Sequence, residues 1–251
     1  MNIQANQYIF PYHHIPHIDQ DGYGSRCRYW KWGYEYLCYL LHIRDIVLKL
    51  APSSVLDAGC GDGAFVASLK GKVKTLAGYD PVERAIQFAR AFNPQVEFYA
   101  SQVEDVPETF DVVTAIEVLE HIPPENVSHF LRSLAAKTRP GGHIVLSVPT
   151  TIIPLNPKHY RHYDMPTLKT ELSAADVPLK IVLFEYVYRH SFLAKIYLWV
   201  TNNSLWSFEL HLLRKVFWKY VWNKLRAADE KTGHHLVVVL RKETKAPEHN
   251  G

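Results

Sequence analysis

The sequence has few cysteines, little net charge and no long apolar run. Its three cysteines, Cys27, Cys38 and Cys60, are odd in number and follow no disulfide or metal-binding spacing. We therefore expect free thiols in a reducing compartment. The 28 basic and 25 acidic residues leave a formal net charge of +3, which gives no argument for nucleic acid as a partner. No uninterrupted run of about 18 apolar residues occurs, so no membrane-spanning helix is predicted.

The first residues and the overall composition narrow the class of protein further. The stretch MNIQANQYIFPYHH has neither a basic segment nor a continuous apolar segment, so we expect no secretory signal and a cytoplasmic protein. Apolar residues make up 47% of the 251 residues, which is ample for one core. A single domain with insertions is the expectation at this length.

The run VLDAGCGDGAF, at residues 55–65, is the most informative segment. It has the form of a buried strand, a glycine-rich turn and the start of a helix, with Asp57 at the end of the strand. Glycine at positions Gly59, Gly61 and Gly63 permits positive φ and leaves no Cβ between the backbone and a ligand. An open α/β sheet builds a nucleotide pocket at this point.

Two classes of nucleotide fit this turn. The glycines match the loose dinucleotide pattern, and Asp80 follows about 20 residues later, where a carboxylate that binds ribose is expected. A dinucleotide also carries a pyrophosphate, which avoids nearby anions, whereas Asp57 and Asp62 flank this turn. The acidic rim favours a ligand with a cationic end. S-adenosylmethionine (SAM) has a sulfonium, an ammonium and no phosphate.

Four segments in this order resemble the class I SAM-dependent methyltransferases, in the small-molecule branch that includes ubiquinone-pathway enzymes. They are VLDAGCGDGAF (55–65), AGYDPVERAIQFAR (77–90), SQVEDVPETFDVVTAIEVLEHI (101–122) and TRPGGHIVLSVP (138–149). The resemblance implies a Rossmann-like α/β fold, doubly wound around a mostly parallel seven-stranded sheet. It also implies methyl transfer from SAM, which we expect to reach an oxygen of a small molecule, a sugar or a lipid-linked acceptor.

The alternation of strand and helix patterns predicts the same parallel, doubly wound sheet. The first helix is predicted over residues 29–50 and the fifth strand over residues 142–148. Within the single domain the predicted segments are an N-terminal arm and cap helix (1–50), the core (54–190), a helical insertion before the last strand (191–229) and the last strand (230–245).

The resemblance places the cofactor at the ends of the first four strands. Asp57 is expected to hold the methionine end of SAM, and Asp80 to accept the ribose hydroxyl protons, although each could instead cap a helix. Relatives often have an acid for the adenine amino group where this chain has Gln102, whose carbonyl oxygen can still accept from an amine. The predicted cofactor set is Asp57, Gly59, Gly61, Asp62, Gly63, Asp80, Gln102, Val103 and Glu117.

Three histidines are candidates for a catalytic base. Methyl transfer from SAM depends mainly on alignment, but a hydroxyl acceptor can need a base, and histidine suits that role near neutral pH. His121, in the string EVLEH, is the first candidate, and His159 and His162, in the string HYRHY, are the others. Arg161 could anchor an acidic acceptor group. Each string could instead order its loop through hydrogen bonds.

Two other functions stay open. Glu117, Glu120, His121 and a distant histidine also resemble the set with which Hen1-like small-RNA 3′-terminal 2′-O-methyltransferases hold a divalent metal. The same string also occurs in relatives that bind no metal, so we expect no metal site. An RNA end-binder should show a clearer basic face, so we expect no nucleic acid partner. A non-catalytic SAM-binding scaffold subunit is the third option, against which the intact glycine loop and Asp80 argue.

Residues 192–226 are not required by the core motifs. They contain four of the six tryptophans, together with apolar and basic residues at helical spacing. Such helices can lie on anionic membranes, so a peripheral contact at the inner membrane surface stays open beside a buried lid or a dimer contact. Aromatic and basic residues between Arg26 and Tyr34 are expected to form a lid over SAM. The sequence does not indicate an oligomeric state.

Overall fold

The computed structural model describes residues 17–18, 24–25, 33–201, 206 and 210–244. The residues predicted as a lid fall mostly outside this part of the chain, and so does Cys27. Cys38 and Cys60 are free thiols, as predicted, and both are buried. The earliest described residues form two short strands, β1 (His17–Ile18) and β2 (Gly24–Ser25), which pair antiparallel.

Helices and strands alternate through the centre of the chain. The described helices are α1 (Gly33–Lys49), α2 (Ala64–Leu69), α3 (Glu83–Phe92), α4 (Val127–Lys137), α5 (Met165–Ala175), α6 (Phe192–Thr201) and α7 (His211–Tyr220), the last continued by a π turn (Val221–Leu225). The further strands are β3 (Ser54–Ala58), β4 (Thr75–Tyr79), β5 (Glu97–Tyr99), β6 (Phe110–Ile116), β7 (Thr138–Pro149), β8 (Leu179–Arg189), β9 (Ala227–Ala228) and β10 (Gly233–Lys242).

The main sheet has the order β5-β4-β3-β6-β7-β10-β8-β9. Strands β3 to β7 are parallel, and β10 lies antiparallel between β7 and β8. The predicted doubly wound, mostly parallel sheet is therefore confirmed, and the two-residue β9 adds an eighth strand at the edge. The strand order reverses at β3, which has β4 on one side and β6 on the other. Such a switch point opens a crevice at the carboxyl ends of the strands.

Helices cover both faces of the sheet. Leu131 of α4 and Leu168 of α5 are buried on one face, whereas Leu37 of α1 and Phe217 of α7 are buried on the other. Because both faces are covered, β3 is buried along all five residues, three of which are apolar. Tyr34, predicted as part of the lid, is only 2% exposed and packs in the core, with its ring centroid 4.8 Å from that of Phe217.

The fifth strand of the parallel set begins earlier than predicted. The sequence pattern places its start at Gly142, after Pro140 and Gly141, but β7 already begins at Thr138. Its register with β6 shifts between Phe110 and Val112, and Gly141 has a φ of 78°. Pro140 and Gly141, which the sequence pattern places in a turn, therefore form a bulge within β7.

Candidate active site

A cleft of about 920 Å³ opens at the carboxyl ends of β3, β4 and β6. Most of the predicted site residues line it: Asp57, Gly59, Gly61, Asp62, Asp80, Gln102, Val103, Glu117, His121 and His159. Gly63 and His162 are not among the lining residues. The crevice that follows from the strand order thus contains both the predicted cofactor residues and two of the three predicted bases.

The glycine loop is held against the end of β4. The N–H groups of Gly59 and Cys60 donate to the carbonyl oxygen of Tyr79 at 2.7 and 2.8 Å. Gly59 has a φ of 85°, and a Cβ there would lie 2.5 Å from Cγ2 of Val118. Only glycine satisfies both conditions, so the backbone itself forms this wall of the cleft.

Gly63 has a packing role instead. It has a φ of 79°, and a Cβ there would lie 2.8 Å from Nδ2 of Asn93 and 3.3 Å from the Cβ of Ala89. The residue precedes α2, and its lack of a side chain lets α2 begin close to the C-terminal end of α3. Its contribution to a ligand site is therefore indirect.

Asp57 lies at the floor of the cleft. Its side chain is 2% exposed, and Oδ1 accepts a hydrogen bond of 2.6 Å from the Thr114 hydroxyl. Burial, together with the charges of Asp80 and Asp62, raises the pKa of Asp57 to about 7. A cationic ligand would favour the ionised form, because an opposite charge nearby lowers the pKa of a carboxyl.

Asp80 ties the glycine loop to the turn before α3. Oδ2 accepts from the N–H of Gly61 at 3.0 Å, and Oδ1 accepts from the N–H of Val82 at 2.8 Å. Burial raises the pKa of Asp80 above its usual value. Asp80 therefore orders the backbone before α3, which is close to the capping role that the sequence analysis gave as its alternative. A carboxylate has about four acceptor sites, so each oxygen retains capacity for a ligand hydroxyl.

Gln102 and Val103 form the wall beyond β5. Gln102 precedes a short 3₁₀ turn, and its N–H donates to Oδ2 of Asp105 at 3.1 Å. Val103 is buried beneath it. The next residue, Glu104, accepts from the Ser133 hydroxyl and lies 3.1 Å from Nε2 of His129. An exposed amide and a buried apolar side chain thus stand next to each other at this end of the cleft.

Glu117 begins the loop after β6 in the left-handed region, with a φ of 54°. Its N–H donates to the carbonyl oxygen of Ser147 at 3.0 Å, and its Oε1 accepts from the Ser147 hydroxyl at 2.8 Å. Oε2 faces Nδ1 of His235 at 3.0 Å. Both carboxylate oxygens are therefore engaged by the protein, which maintains an uncommon backbone conformation beside the cleft.

His235 connects Glu117 to the first long helix. Its Nε2 lies 3.1 Å from Oε1 of Glu35, which also accepts from Nδ1 of His234 at 2.6 Å. Although burial opposes the charged form, the two carboxylates raise the pKa of His235 to about 10. Burial would raise the pKa of Glu35, but the two histidines outweigh it and hold that pKa at about 2. His235 is thus an imidazolium that donates to a carboxylate from each ring nitrogen.

The three predicted histidines meet at the other end of the cleft. The rings of His121 and His159 are nearly perpendicular with centroids 4.6 Å apart, and Nδ1 of His159 lies 2.9 Å from Nε2 of His162. Nδ1 of His162 is 3.2 Å from the carbonyl oxygen of Ile153. The backbone N–H of Tyr160 donates to the carbonyl oxygen of Glu120 at 2.8 Å, so the two strings also order each other's loops.

The hydrogen bonds determine the tautomers of these rings. A carbonyl oxygen only accepts, so Nδ1 of His162 carries the proton and its Nε2 accepts from Nδ1 of His159. The proton of His121 lies on Nδ1 in the same way, because that atom is 3.2 Å from the carbonyl oxygen of Lys158. Burial, with the charges of His121 and His162, lowers the pKa of His159 to about 4, and burial also lowers that of His121. Both rings are neutral at pH 7, with a lone pair on Nε2.

Glu120 completes this end of the cleft. It is 1% exposed, and neither of its carboxylate oxygens has a hydrogen-bond partner in the described part of the chain. Burial and the nearby Glu117 raise its pKa well above the usual value. Glu120, His121 and His159 each offer a ligand atom, and these atoms all lie within 4.8 Å of one another. Two imidazoles and one carboxylate are a donor set that can hold a divalent metal ion.

Comparison with known proteins identifies the family. The family described as "Methyltransferase domain" matches residues 29–220, which is most of the chain. The chain belongs to this family. Over 124 residues the methyltransferase is 34% identical to the ubiquinone biosynthesis O-methyltransferase of Pseudomonas putida strain F1, which covers 46% of this chain and 51% of that protein. The chain thus spans about half the length of the curated relatives it matches.

Solved structures show the same fold. N-methyltransferase NodS from Bradyrhizobium japonicum WM9, in complex with S-adenosyl-L-homocysteine, matches with a TM-score of 0.57 and 18% identity, covering 88% of this chain and 94% of that one. The methyltransferase domain of bacterial CtHen1-C matches with a TM-score of 0.57 and 15% identity, covering 82% and 97%. The family predicted from the four segments is confirmed. No described helix of the methyltransferase is long and apolar enough to cross a membrane.

One predicted side chain does not line the cleft, and two side chains that were not predicted do. Arg161 forms an ion pair with Glu171 of α5 and does not line the cleft, which gives no support to its expected role as an anchor for an acidic group. Glu35 and His235 of the methyltransferase do line it, and neither was predicted. The only local signal was the pair His234-His235 at the start of an otherwise aliphatic strand.

Proposed function

We propose that the methyltransferase transfers the methyl group of SAM to an oxygen of a small-molecule acceptor. The observation that carries this proposal is the pair of neutral imidazoles, His121 and His159, which line the same cleft as the glycine loop. Each has a hydrogen-bonded Nδ1 and a lone pair on Nε2. A hydroxyl acceptor that lay between them and the methyl donor could lose its proton to either ring.

The electrostatics of the cleft support SAM as the donor. Among the described residues, the cleft is lined by seven carboxyl groups, against Lys158 and the His235 imidazolium as cations. The carboxyl groups are those of Glu35, Asp57, Asp62, Asp80, Glu104, Glu117 and Glu120. The raised pKa of Glu120 keeps that group neutral, which leaves the acids at the glycine-loop end as the main negative charges. Such a wall favours the sulfonium and ammonium of SAM and disfavours a pyrophosphate. NodS, which has the same fold, was solved in complex with S-adenosyl-L-homocysteine.

The predicted binding roles fit these positions. In this proposal Asp57 and Asp62, with the backbone at Gly59 and Gly61, hold the methionine end of SAM. Asp80 accepts the ribose hydroxyls. Gln102 and Val103 form the adenine wall, and Glu117 shapes the transition to the acceptor end. Gly63 acts through the packing of α2, and His162 acts through His159, whose tautomer it selects.

The proposed acceptor is a phenol or sugar hydroxyl, free or linked to a lipid. The matched relative from Pseudomonas putida is named an O-methyltransferase of ubiquinone biosynthesis, which supports an oxygen acceptor. The acidic cleft, in which Arg161 takes no part, disfavours acceptors with an anionic group. If the acceptor is linked to a lipid, residues 192–226 would bring the methyltransferase to the membrane that contains it.

Calorimetry and a transfer assay test this proposal. In calorimetry, SAM should bind and NAD should not. Asp80→Asn should weaken SAM binding by roughly tenfold, since one charge-assisted hydrogen bond contributes about 1.5–3 kcal/mol. Radiolabelled SAM is then offered with a catechol, a hexose and a primary amine. Transfer to the amine alone would overturn the oxygen acceptor, and binding of NAD without SAM would overturn the donor. SAM binding without any transfer would favour the scaffold function.

A Hen1-like function is the second candidate, and the cluster of Glu120, His121 and His159 favours it. These three residues could hold a divalent ion, whereas Glu117 is engaged by Ser147 and His235, so the two-glutamate set is not assembled. When bound, such an ion would supply Lewis-acid contact to ribose hydroxyls. The test is manganese-dependent methylation of the 3′ end of a short RNA by the native chain and by Glu120→Gln. No transfer to RNA by the native chain eliminates this candidate.

A further inference from the structure

Helix α6 carries a row of exposed apolar side chains. Phe192, Leu193 and Trp199 are 76%, 61% and 69% exposed, and Ile196 and Val200 are exposed as well. Their spacing places all five on one face of the helix, because residues three, four, seven and eight apart share a face. Exposed apolar surfaces of this kind mark sites of interaction in monomeric proteins.

Helix α7 extends the same surface. Leu212, Leu213 and Val216 are exposed on its outer side. The two helices are neighbours, since the rings of Tyr197 and Phe217 stack with centroids 3.7 Å apart. Large apolar side chains of both helices therefore face outward from one region of the molecule.

The charges in this region have one dominant sign. Residues 192–226 contain six Lys and Arg and one acid, Glu209, which lies outside the described residues. Lys195, Lys219 and Lys224 are exposed. Exposed apolar residues with basic residues around them are typical of helices that lie on anionic membranes. A second copy of the chain would instead bring like charges together across a symmetric contact.

The inner side of these helices faces the layer that walls the cleft. Tyr34 of α1 lies 4.8 Å from Phe217 between ring centroids, and α1 also supplies Glu35, Tyr36 and Tyr39 to the lining of the cleft. Among the described residues, α1 therefore lies between α7 and the lining of the cleft. A lipid-linked acceptor could therefore reach the cleft from a bilayer against which α6 and α7 rest.

We propose that α6 and α7 form a docking face for anionic lipid bilayers. Their apolar side chains enter the interfacial region, and Lys195, Lys219 and Lys224 contact acidic headgroups. This proposal deepens the proposed function by naming the charge of the membrane partner. Vesicle binding is measured without methyl transfer, so a failure here leaves the test of SAM and acceptor chemistry unaffected.

The experiment is sedimentation of the full chain with vesicles of phosphatidylcholine, alone or mixed with phosphatidylglycerol. We expect at least about tenfold stronger partitioning to the anionic vesicles, weakened by added salt. Replacing Phe192, Leu193 and Trp199 together by Ser should reduce binding to the level of neutral vesicles. The double variant Lys195→Glu/Lys219→Glu should remove the preference for anionic lipid. Tryptophan quenching by brominated lipid reports whether this face enters the bilayer.

Phe92→Ser is the matched control, because Phe92 is an exposed aromatic residue at the end of another helix. It should bind vesicles like the native chain. Circular dichroism and SAM affinity establish that each variant is folded. Equal partitioning of the native chain to both kinds of vesicle, or full binding by the triple Ser variant, would overturn the proposal. A third outcome would also overturn it: the native chain is a dimer by light scattering, the triple Ser variant is a monomer, and the native chain binds no vesicles.

Discussion

Single side chains at the acceptor end of the cleft are kept neutral by their surroundings. The carbonyl oxygens of Lys158 and Ile153 determine which ring nitrogen carries the proton in His121 and His162. Burial then keeps the pKa of His159 at about 4, far from neutral pH. The rings of His121 and His159 are therefore neutral before transfer, as the histidine of a catalytic triad is, and the carboxyl group of Glu120 lies 3.8 Å from Nε2 of His121.

The first prediction concerns these two bases. We expect one of the two histidines to act as the base, so one of the variants His121→Ala and His159→Ala should lower turnover by about 10²–10⁴-fold. General base catalysis contributes roughly that much. SAM affinity should change little, since neither ring accepts from the glycine loop. His143→Ala is the control, as His143 lies on β7 and does not line the cleft. Unchanged turnover in both variants would show that alignment alone supports transfer.

The second prediction concerns the charged chain of Glu35, His235 and Glu117. His235→Gln leaves two carboxylates without their shared cation and should cost roughly 3 kcal/mol in the free energy of unfolding near pH 6. The pKa of His235 is raised, so its contribution is complete below about 6.5 and is lost as pH rises through about 10. The pKa of Glu35 is lowered, so its contribution is present above about 4.5 and is lost as pH falls through about 2.

Urea titrations at several pH values test this chain. The difference in stability between the native chain and His235→Gln should be largest between pH 4.5 and 6.5 and should shrink as pH rises toward 10. His190→Gln is the control, because His190 contacts His234 by ring packing without joining the chain of carboxylates. A difference that stays constant up to pH 10 would show that His235 acts through packing.

At the scale of elements, the glycine loop allows a comparison between two glycines of similar backbone conformation. Gly59 and Gly71 both have positive φ, but a Cβ at Gly71 would meet nothing within 4 Å, whereas one at Gly59 would lie 2.5 Å from Val118. Gly71→Ala should cost about 1 kcal/mol, which is the usual strain of this conformation. Gly59→Ala adds a clash with the EVLEH loop, so we expect a larger loss of stability and at least tenfold weaker SAM binding. Thermal unfolding and calorimetry of both variants measure this, and equal effects would contradict it.

The elements differ in how well their sequence predicts them. Strands β3 and β6 could be predicted because they are buried along most of their length, which favours runs of apolar residues that local patterns show. The early start of β7 could not be predicted, since Pro140 and Gly141 favour a turn in the sequence. They form a bulge because β7 pairs with β6 on both sides of them. Strand β9 consists of two alanines whose conformation depends on Tyr186 and Val187 of β8.

The same distinction applies to the candidate site. The position of Asp57, Asp80 and His121 in the cleft could be predicted because each lies at or just after the carboxyl end of a strand, within a local motif. Glu35 and His235 are 200 residues apart, so their contact depends on how α1 and β10 pack and leaves no local pattern. The tautomers of His159 and His162 likewise depend on carbonyl groups that only the folded loop brings near.

At the scale of the whole molecule, the insertion and the catalytic core share one hydrophobic cluster. Trp218 and Phe217 of α7 pack in the same cluster as Leu37 of α1 and Val239 of β10. Helix α1 in turn walls the cleft through Tyr36 and Tyr39. Unfolding of the insertion would therefore expose the cap helix and loosen the cleft, which favours a single cooperative transition.

The final prediction follows from this shared cluster. Tryptophan fluorescence, which reports largely on the insertion, and far-ultraviolet circular dichroism should show the same melting temperature. SAM at about 100 times its dissociation constant should raise both by roughly 5–10 °C, because binding at that excess stabilises the folded state by about 2.7 kcal/mol. Asp80→Asn, with roughly tenfold weaker SAM binding, should reduce this shift to about half at the same SAM concentration. Asp229→Asn, an exposed change in the turn before β10, should preserve the full shift. A fluorescence transition at a lower temperature than the dichroism transition, with a midpoint that SAM does not change, would show that the insertion unfolds independently of the core.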